Sequence, residues 1–514
     1  MQASRVWLGA FACFLVLGAT WAFASPLLSV PDEPAHLVKA AALARGELTG
    51  RKIPIADEGP GSIFRGGFTT VVHVPYSYTW QTSKIPNCFI SVPTEPAGCA
   101  PEFRDLPRDS EWTTWVGQYP PTYYAAVGWT TLLDTGQLGF YLARLWSAAL
   151  SAAFLASAFA CAVVTTRHRY LALAVVLSAT PMTLFLAGSV NPNGLEITTA
   201  VCFWAALGAI VTARDRPTPG PLYAAALVSG LVLAWTRPLS VLWLAIAAVV
   251  LVLGFGCVGE TIARVGRRRT AWALGAFGAV SVLAFAWAFG LDALGNAEGD
   301  DPRGLGLVDA LRHSAGRSGG YIRQMVGVFG WKSTPPPALL TWVWGAALVA
   351  LVVVGLWAAT TRIRIVLLGV GALALLTPIA LEVPRAADHG FAWQGRYGLP
   401  VAAGVPVVAA LALATGRELA RRARRALTLG IVLVVAGGQV LAHAAAMRRY
   451  VTGSDGSWWY LSGHGWNPPL PAALLLLATI TGAAGLAVLT YRVGTAEAPA
   501  DDPSPRSEPA HATG

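Results

Sequence analysis

Long apolar runs, recurring twelve times between short polar connections, constrain this chain more than anything else in it. They lie near 6–27, 138–165, 171–189, 195–213, 221–237, 240–257, 271–290, 338–359, 365–382, 398–415, 427–446 and 470–490. In lipid a backbone must satisfy its own hydrogen bonds, so a run of about 20 apolar residues becomes a membrane-crossing helix. Only 12% of the 514 residues are charged and 55% are hydrophobic, whereas soluble domains carry about 25% charged residues. The expectation is an all-α polytopic membrane protein with about 12 transmembrane helices. Residues 1–490 form one integral-membrane domain, and 491–514 read as a disordered cytoplasmic tail.

The net charge of +10 invites a nucleic-acid reading, but its placement excludes one. Basic residues fall in short clusters between apolar runs: "RHR" at 167–169, Arg214 and Arg216, "RVGRRR" at 264–269, "RIR" at 362–364 and "RELARRARR" at 417–425. Each cluster follows an even number of spans, which is the positive-inside pattern. Both termini then lie in the cytoplasm. The first run ends in Ala22-Phe23-Ala24, which resembles a signal-peptidase site. Its apolar stretch is long for a signal peptide, which favours a retained first span.

Polar sequence is concentrated on the external side, in segments near 28–118, 291–337, 383–397 and 447–469. The first is rich in Pro, Gly, Trp and Tyr, a composition suited to interfacial helices at the lipid surface. Cys13, Cys161, Cys202 and Cys257 fall in apolar runs and read as core residues. Cys88 and Cys99 share the first external loop, where a disulfide between them fits an oxidising compartment. By chain-entropy reasoning it would stabilise that loop by about 2–3 kcal/mol.

Just after the first apolar run stands "SVPDEPAHLVKAAALARGEL", residues 29–48. Pro34 suits a first helical position, and Asp32 is placed to cap that helix. One cap needs one carboxylate, yet Asp32 and Glu33 are adjacent at a membrane surface. His36 follows Asp32 by four residues, on the same helix face. "GQYPPTYYAAVGW", 117–129, supplies Tyr119, Tyr123 and Tyr124, which suit an interfacial helix or a groove for a sugar or lipid head group. "SVNPNG", 189–194, is a turn whose Asn191 and Asn193 offer amides to a ligand. "FGWKSTPPP", 329–337, holds Lys332, and "HGFAWQGRYGLP", 389–400, holds Gln394, Arg396 and Tyr397. Arg396 and Lys332 either anchor the interface or grip a phosphate, a bidentate task that suits Arg.

Taken in the order "PDEPAH", "YPPTYY", "NPNG", "FGW" and "QGRYGLP", the chain resembles a bacterial membrane-protein family defined as domain of unknown function 2142. That family is similar to the GT-C superfamily of integral-membrane glycosyltransferases. The resemblance implies a GT-C-like fold in the bacterial plasma membrane with its active face external. It implies transfer of a sugar from a polyprenyl-phosphate donor to an envelope glycan, lipid or protein acceptor. Asp32 would be the catalytic base, with Glu33 as its partner or as a ligand for a divalent cation (Mg or Mn). Arg396, with Lys332, would hold the phosphate. The family pattern more often carries an acid where Asn193 stands. The two acids are sequence neighbours and cannot alone form the widely spaced pair of a glycosidase, so transfer is the better fit.

Two other classes compete. A transporter or flippase of lipid-linked glycans would place ionisable residues within spans near the midplane. The spans read as mostly clean, with His443 an exception near an external end. A non-catalytic membrane scaffold would leave function intact in Asp32→Asn.

Overall fold

A computed structural model of the chain describes residues 2–55, 68–84, 88–164, 166–213, 217–256, 258–293, 304–462 and 465–497. Arg214, Arg216, Cys257 and residues 498–514 of the expected tail lie outside the described residues. In chain order the helices are α1 (Ala3–Ala24), α2 (Glu33–Ala44), α3 (Tyr76–Lys84), α4 (Thr122–Gly128), α5 (Thr130–Leu133), α6 (Gln137–Ala160), α7 (Leu171–Ser178), α8 (Pro181–Ala187), α9 (Pro192–Thr212), α10 (Gly220–Ala234) and α11 (Ser240–Phe255). They continue as α12 (Val258–Val265), α13 (Arg267–Gly290), α14 (Leu307–Gly316), α15 (Ser318–Gly327), α16 (Ala338–Ala358), α17 (Thr361–Glu382), α18 (Ala386–His389), α19 (Gly395–Ala402), α20 (Gly404–Thr415), α21 (Arg421–Thr452) and α22 (Ala472–Gly494). Helix α22 runs four residues into the segment read as tail.

The fold is a helical membrane bundle. Among the described residues nine helices are long and apolar enough to cross a membrane, or up to 11 if two bent pairs each count as one span. One pair is α7 and α8, bent by 71°; the other is α11 and α12, bent by 106°. The first bend falls where Pro181 opens α8 behind the Thr180 cap, since proline cannot continue the preceding ladder. Helix α10 has only 15 residues. The expected segments near 171–189, 221–237 and 240–257 are those that fall short of a single long span: the first is bent between α7 and α8, the second is the short α10, and the third ends at the bend into α12.

Burial separates a centre from a rim. Helix α9 is 94% buried along its span and the α19–α20 run 83%, against 11% for α13. Buried polar groups on α9 and α19 need protein partners. Described members of three basic clusters collect at the end where α9 stops. His168 meets the Thr212 hydroxyl at 2.8 Å, and Arg264 donates to the Ile210 carbonyl at 3.0 Å. Arg169 reaches the Ala496 carbonyl, and Arg421 pairs with Glu497 at 2.8 Å. The starts of α9 and α19 lie at the other end, with the 28–118 segment.

That segment holds more than interfacial helices. Strands β1 (Arg51–Pro54), β2 (Phe68–Pro75) and β3 (Asp109–Thr114) form an antiparallel sheet in the order β1-β2-β3. The β-branched run "FTTVVHV" favours the pleated conformation, which adds a small sheet to the helices expected in this segment. Cys88 and Cys99 are joined by a disulfide. Arg449 of α21 donates to the carbonyls of Phe89, Val92 and Glu95 at 2.7, 3.1 and 2.6 Å, tying the disulfide-closed stretch to the bundle.

Helix α2 is buried from Glu33 to Ala42, and its start is fixed by an ion pair. Arg144 of α6 donates Nε to Glu33 Oε1 at 2.8 Å and Nη2 to Oε2 at 2.5 Å. Its remaining N–H groups bond the carbonyls of Ala22, Ser25 and Pro26 at 2.8, 2.6 and 2.9 Å. All five guanidinium donors are thus engaged, and both side chains are fully buried. Removing one partner of such a pair leaves an uncompensated buried charge. Glu33→Gln and Arg144→Met are each expected to cost about 3–5 kcal/mol, and the double variant less than either. Thermal unfolding of the detergent-solubilised protein measures this; single variants that melt with the native protein would refute it.

Candidate functional site

Asp32 occupies the N-cap position of α2, but its side chain accepts no capping hydrogen bond. An N-cap usually has extended backbone angles that aim its oxygen at the next amides. Asp32 has φ 62° and ψ −2° instead, a left-handed conformation that Asp tolerates better than most residues. Neighbouring contacts hold it there. The Asn191 amide donates to the Pro31 carbonyl at 2.8 Å, Glu33 N–H to the Val30 carbonyl at 3.1 Å and His36 N–H to the Asp32 carbonyl at 3.0 Å. The Asp32 carboxylate is thereby turned away from its own helix and onto Arg396, 364 residues later, with which it forms an ion pair.

Arg396 is delivered by the start of α19. Gly395 donates its N–H to Gln324 Oε1 at 2.7 Å, and Trp393 donates its N–H to Glu382 Oε1 at 2.6 Å. A Cβ at Gly395 would lie 2.2 Å from the Tyr321 carbonyl oxygen, so only glycine permits this approach of α19 to α15. The same Arg396 nitrogen that meets Asp32 also meets the Tyr397 hydroxyl at 3.1 Å, while its Nε–H has no partner among the described residues. Arg396 is 3% exposed and Asp32 24%, so a ligand would reach this pair from the carboxylate side.

Beside them lies a second charged group. Arg237, in the turn between α10 and α11, donates Nη1 to Glu196 Oε2 at 2.9 Å and to Asn193 Oδ1 at 2.8 Å. Glu196 Oε1 also accepts from the Ser240 hydroxyl at 2.7 Å and the Trp243 indole at 3.1 Å. The Arg237 guanidinium stands 4.9 Å from the Tyr397 ring centre and 5.9 Å from that of Tyr119, within the range of cation–π attraction.

The other residues singled out in the sequence divide between site and scaffold. Tyr119, Gln394 and Tyr397 are partly open. His36 is buried, its Nδ1 2.9 Å from the Tyr124 hydroxyl and its ring 6.1 Å from that of Tyr119. Tyr123 turns away, towards the Ser147 hydroxyl at 3.1 Å and the Ser189 carbonyl at 3.4 Å. Asn191 caps α9, accepting the Asn193 N–H at 3.0 Å while holding Pro31, so its amide serves the fold. Glu33 has both oxygens on Arg144 and accepts the Val190 N–H at 3.0 Å as well. It therefore stands as an anchor of the fold, apart from the partly open Asp32. Lys332 is exposed in a turn closed by the Phe329–Thr334 bridge, with φ 67°. Phe329 packs on Trp21 of α1, 4.8 Å between ring centres.

The donor set does not fit a divalent cation. Among the described residues, Asp32 is the one carboxylate of this site that is partly open, and no group of three or more His, Cys, Asp or Glu side chains suited to a metal occurs. Arg144, Glu196 and Arg237 escaped the sequence reading. Arg144 and Glu196 interrupt runs read as clean, and a charge inside an apolar run was the signal that marked them, because it costs about 2.5–3.5 kcal/mol in a span unless paired.

Burial, then the charges of Arg237 and Arg396, hold the His36 imidazole well below its ordinary value of 6.5. Below that value the unfolded chain binds a proton that the folded protein refuses, so this residue makes stability fall as pH drops through about 6.5. His36→Gln is expected to remove part of that slope. Melting temperatures between pH 7.5 and 5 decide it; an unchanged slope would contradict the neutral, buried imidazole.

Crystal structures of ArnT from Cupriavidus metallidurans are similar to this chain over 96% of its length and 77% of theirs, at 13% sequence identity. The TM-score is 0.47 for the form bound to undecaprenyl phosphate and 0.45 for the apo state. Among curated proteins none matches. The description "Predicted membrane protein (DUF2142)" matches residues 15–405, a span that takes in Asp32, Glu196, Arg237 and Arg396, and the chain belongs to that family.

Proposed function

We propose that the protein is a cell-envelope glycosyltransferase that moves a sugar from a polyprenyl-phosphate donor to an acceptor hydroxyl on the external face of the membrane. The observation that carries this reading is the meeting of Asp32 and Arg396. A potential base and a cation suited to phosphate, 364 residues apart in the chain, converge at the start of buried helices. A polyprenyl-phosphate sugar keeps its tail in lipid and presents its head group at the membrane surface.

In this reading Asp32 takes the proton of the acceptor hydroxyl as its oxygen attacks the anomeric carbon. The bond between that carbon and the phosphate oxygen breaks, and the polyprenyl phosphate leaves with the electron pair. General-base help of this kind contributes typically 10²–10⁴-fold. Arg396, whose Nε–H has no partner among the described residues, stabilises the charge that develops on the leaving phosphate, with exposed Lys332 as a second cation. Glu33 is assigned no chemical step, because Arg144 and the Val190 amide occupy its oxygens.

The test is mass spectrometry of envelope glycans and lipid-linked sugars from a deletion strain carrying the native gene, Asp32→Asn or Arg396→Gln at matched protein levels. The expected outcome is loss of one glycan and accumulation of its polyprenyl-phosphate sugar in the deletion, restored by the native gene alone. If Asp32→Asn restores the glycan fully, the reading is wrong and a flippase or scaffold becomes the better account.

A further inference from the structure

The site contains two arginines, and their anchoring separates their tasks. Arg396 is paired with a partly open carboxylate that makes contact through a single oxygen, Oδ2. Arg237 is paired with Glu196, which is 0% exposed and held by Ser240 and Trp243 as well. A carboxylate with three donors and no solvent cannot leave its partner without stranding a buried charge. The charge of Arg237 is therefore permanently compensated within the protein. What it still offers is directional N–H groups on a side chain that is partly open; its Nε–H is buried and has no partner among the described residues.

We propose that Arg237, fixed by Glu196 and Asn193 beside the rings of Tyr119 and Tyr397, reads the hydroxyl groups of the sugar being transferred. The assignment rests on the glycosyltransferase reading and names a specificity-determining residue within it. Aromatic faces with a few placed polar groups suit a ligand that combines an apolar C–H face with hydroxyls. Arg237 is 12% exposed, and the two tyrosines beside it are partly open, so the wall is reachable. A neutral ligand is the right match for a compensated guanidinium, whereas the phosphate falls to Arg396. A site built to bond a hydroxyl also rejects strongly the analogue that lacks it.

The test uses the full-length, detergent-purified protein and native mass spectrometry of lipid binding. The probes are undecaprenyl phosphate and a panel of the same lipid bearing one hexose or one pentose. Because Arg237→Gln alone strands Glu196, the main variant is the neutral double Arg237→Gln/Glu196→Gln, with Arg237→Lys as a second and unfolding temperature as the check on folding. The native protein is expected to bind one glycosylated lipid about tenfold more tightly than the bare one, a difference of about 1.4 kcal/mol. The double variant is expected to lose that preference while binding bare lipid within about twofold of native, the difference measured against the same affinity scale. Arg396→Gln is expected to lose bare lipid and glycosylated lipid together. If the double variant and Arg237→Lys weaken both probes equally, Arg237 does not read the sugar. A native protein with no preference within the panel also overturns the proposal while leaving Arg396 as a phosphate residue. A native protein that binds none of these lipids overturns the proposal and the glycosyltransferase reading alike.

Discussion

The Glu33–Arg144 pair is the contact on which the rest of the site depends. A guanidinium with all five N–H groups engaged fixes three backbone carbonyls at the end of α1 and the first residue of α2 at once. The chain between Ala22 and Glu33 therefore has little freedom, and Asp32 is carried in a left-handed conformation that would be hard to hold in an open loop. The pair sits about two turns into α6, where leaving either charge alone would be costly. Adjacent acids that look alike in sequence thus do opposite things: Glu33 fixes the backbone so that Asp32 need not cap it.

Three buried or half-buried arginines show how anchoring, more than charge, assigns a role. Arg144 has no donor left and serves as a bolt. Arg237 has its charge neutralised by a carboxylate that cannot move, yet keeps an unpartnered Nε–H. Arg396 shares one oxygen of a carboxylate that is itself partly open. The ranking follows from what each would lose on meeting a ligand. Exchanging the Asp32 contact for a phosphate oxygen substitutes one charge-assisted bond for another, whereas the Glu196 contact has no such substitute.

Much of this was legible in the sequence, for reasons that also explain the remainder. Apolar runs announce a membrane bundle because lipid imposes one length and one backbone solution. The helix beginning at Glu33 follows from Pro34 and the alanine-rich run behind it. Asp32, Arg396 and Tyr397 stood out as polar residues at the rims of such runs. What the sequence does not carry is orientation. Nothing local distinguishes Tyr119, beside Arg237, from Tyr123, turned to Ser147, since both come from one short aromatic stretch. Likewise Asn191 and Asn193 differ only in which neighbours the fold brings to them. The break between α7 and α8 was missed because apolar composition continues through a bend that a single proline at 181 creates.

The parts of the site share one structural origin. Asp32 precedes α2, Asn193 opens α9, Arg396 opens α19, and Arg237 lies in the turn before α11. Each is a place where the helical ladder is interrupted and backbone groups need partners from elsewhere. In a membrane protein such interruptions survive only where protein covers them, and here the covering is supplied by the 28–118 segment, whose helix α2 and sheet lie over this end of the bundle. Helices α9 and α19–α20, the most enclosed of the spans, then act as rigid mounts for short irregular stretches that hold the polar residues. Rigid helices beneath irregular connections are the arrangement on which binding and chemistry concentrate in soluble proteins as well. The bilayer adds one condition: every charge brought to that end must arrive with its partner, which is why Asp32, Glu33 and Glu196 each meet an arginine.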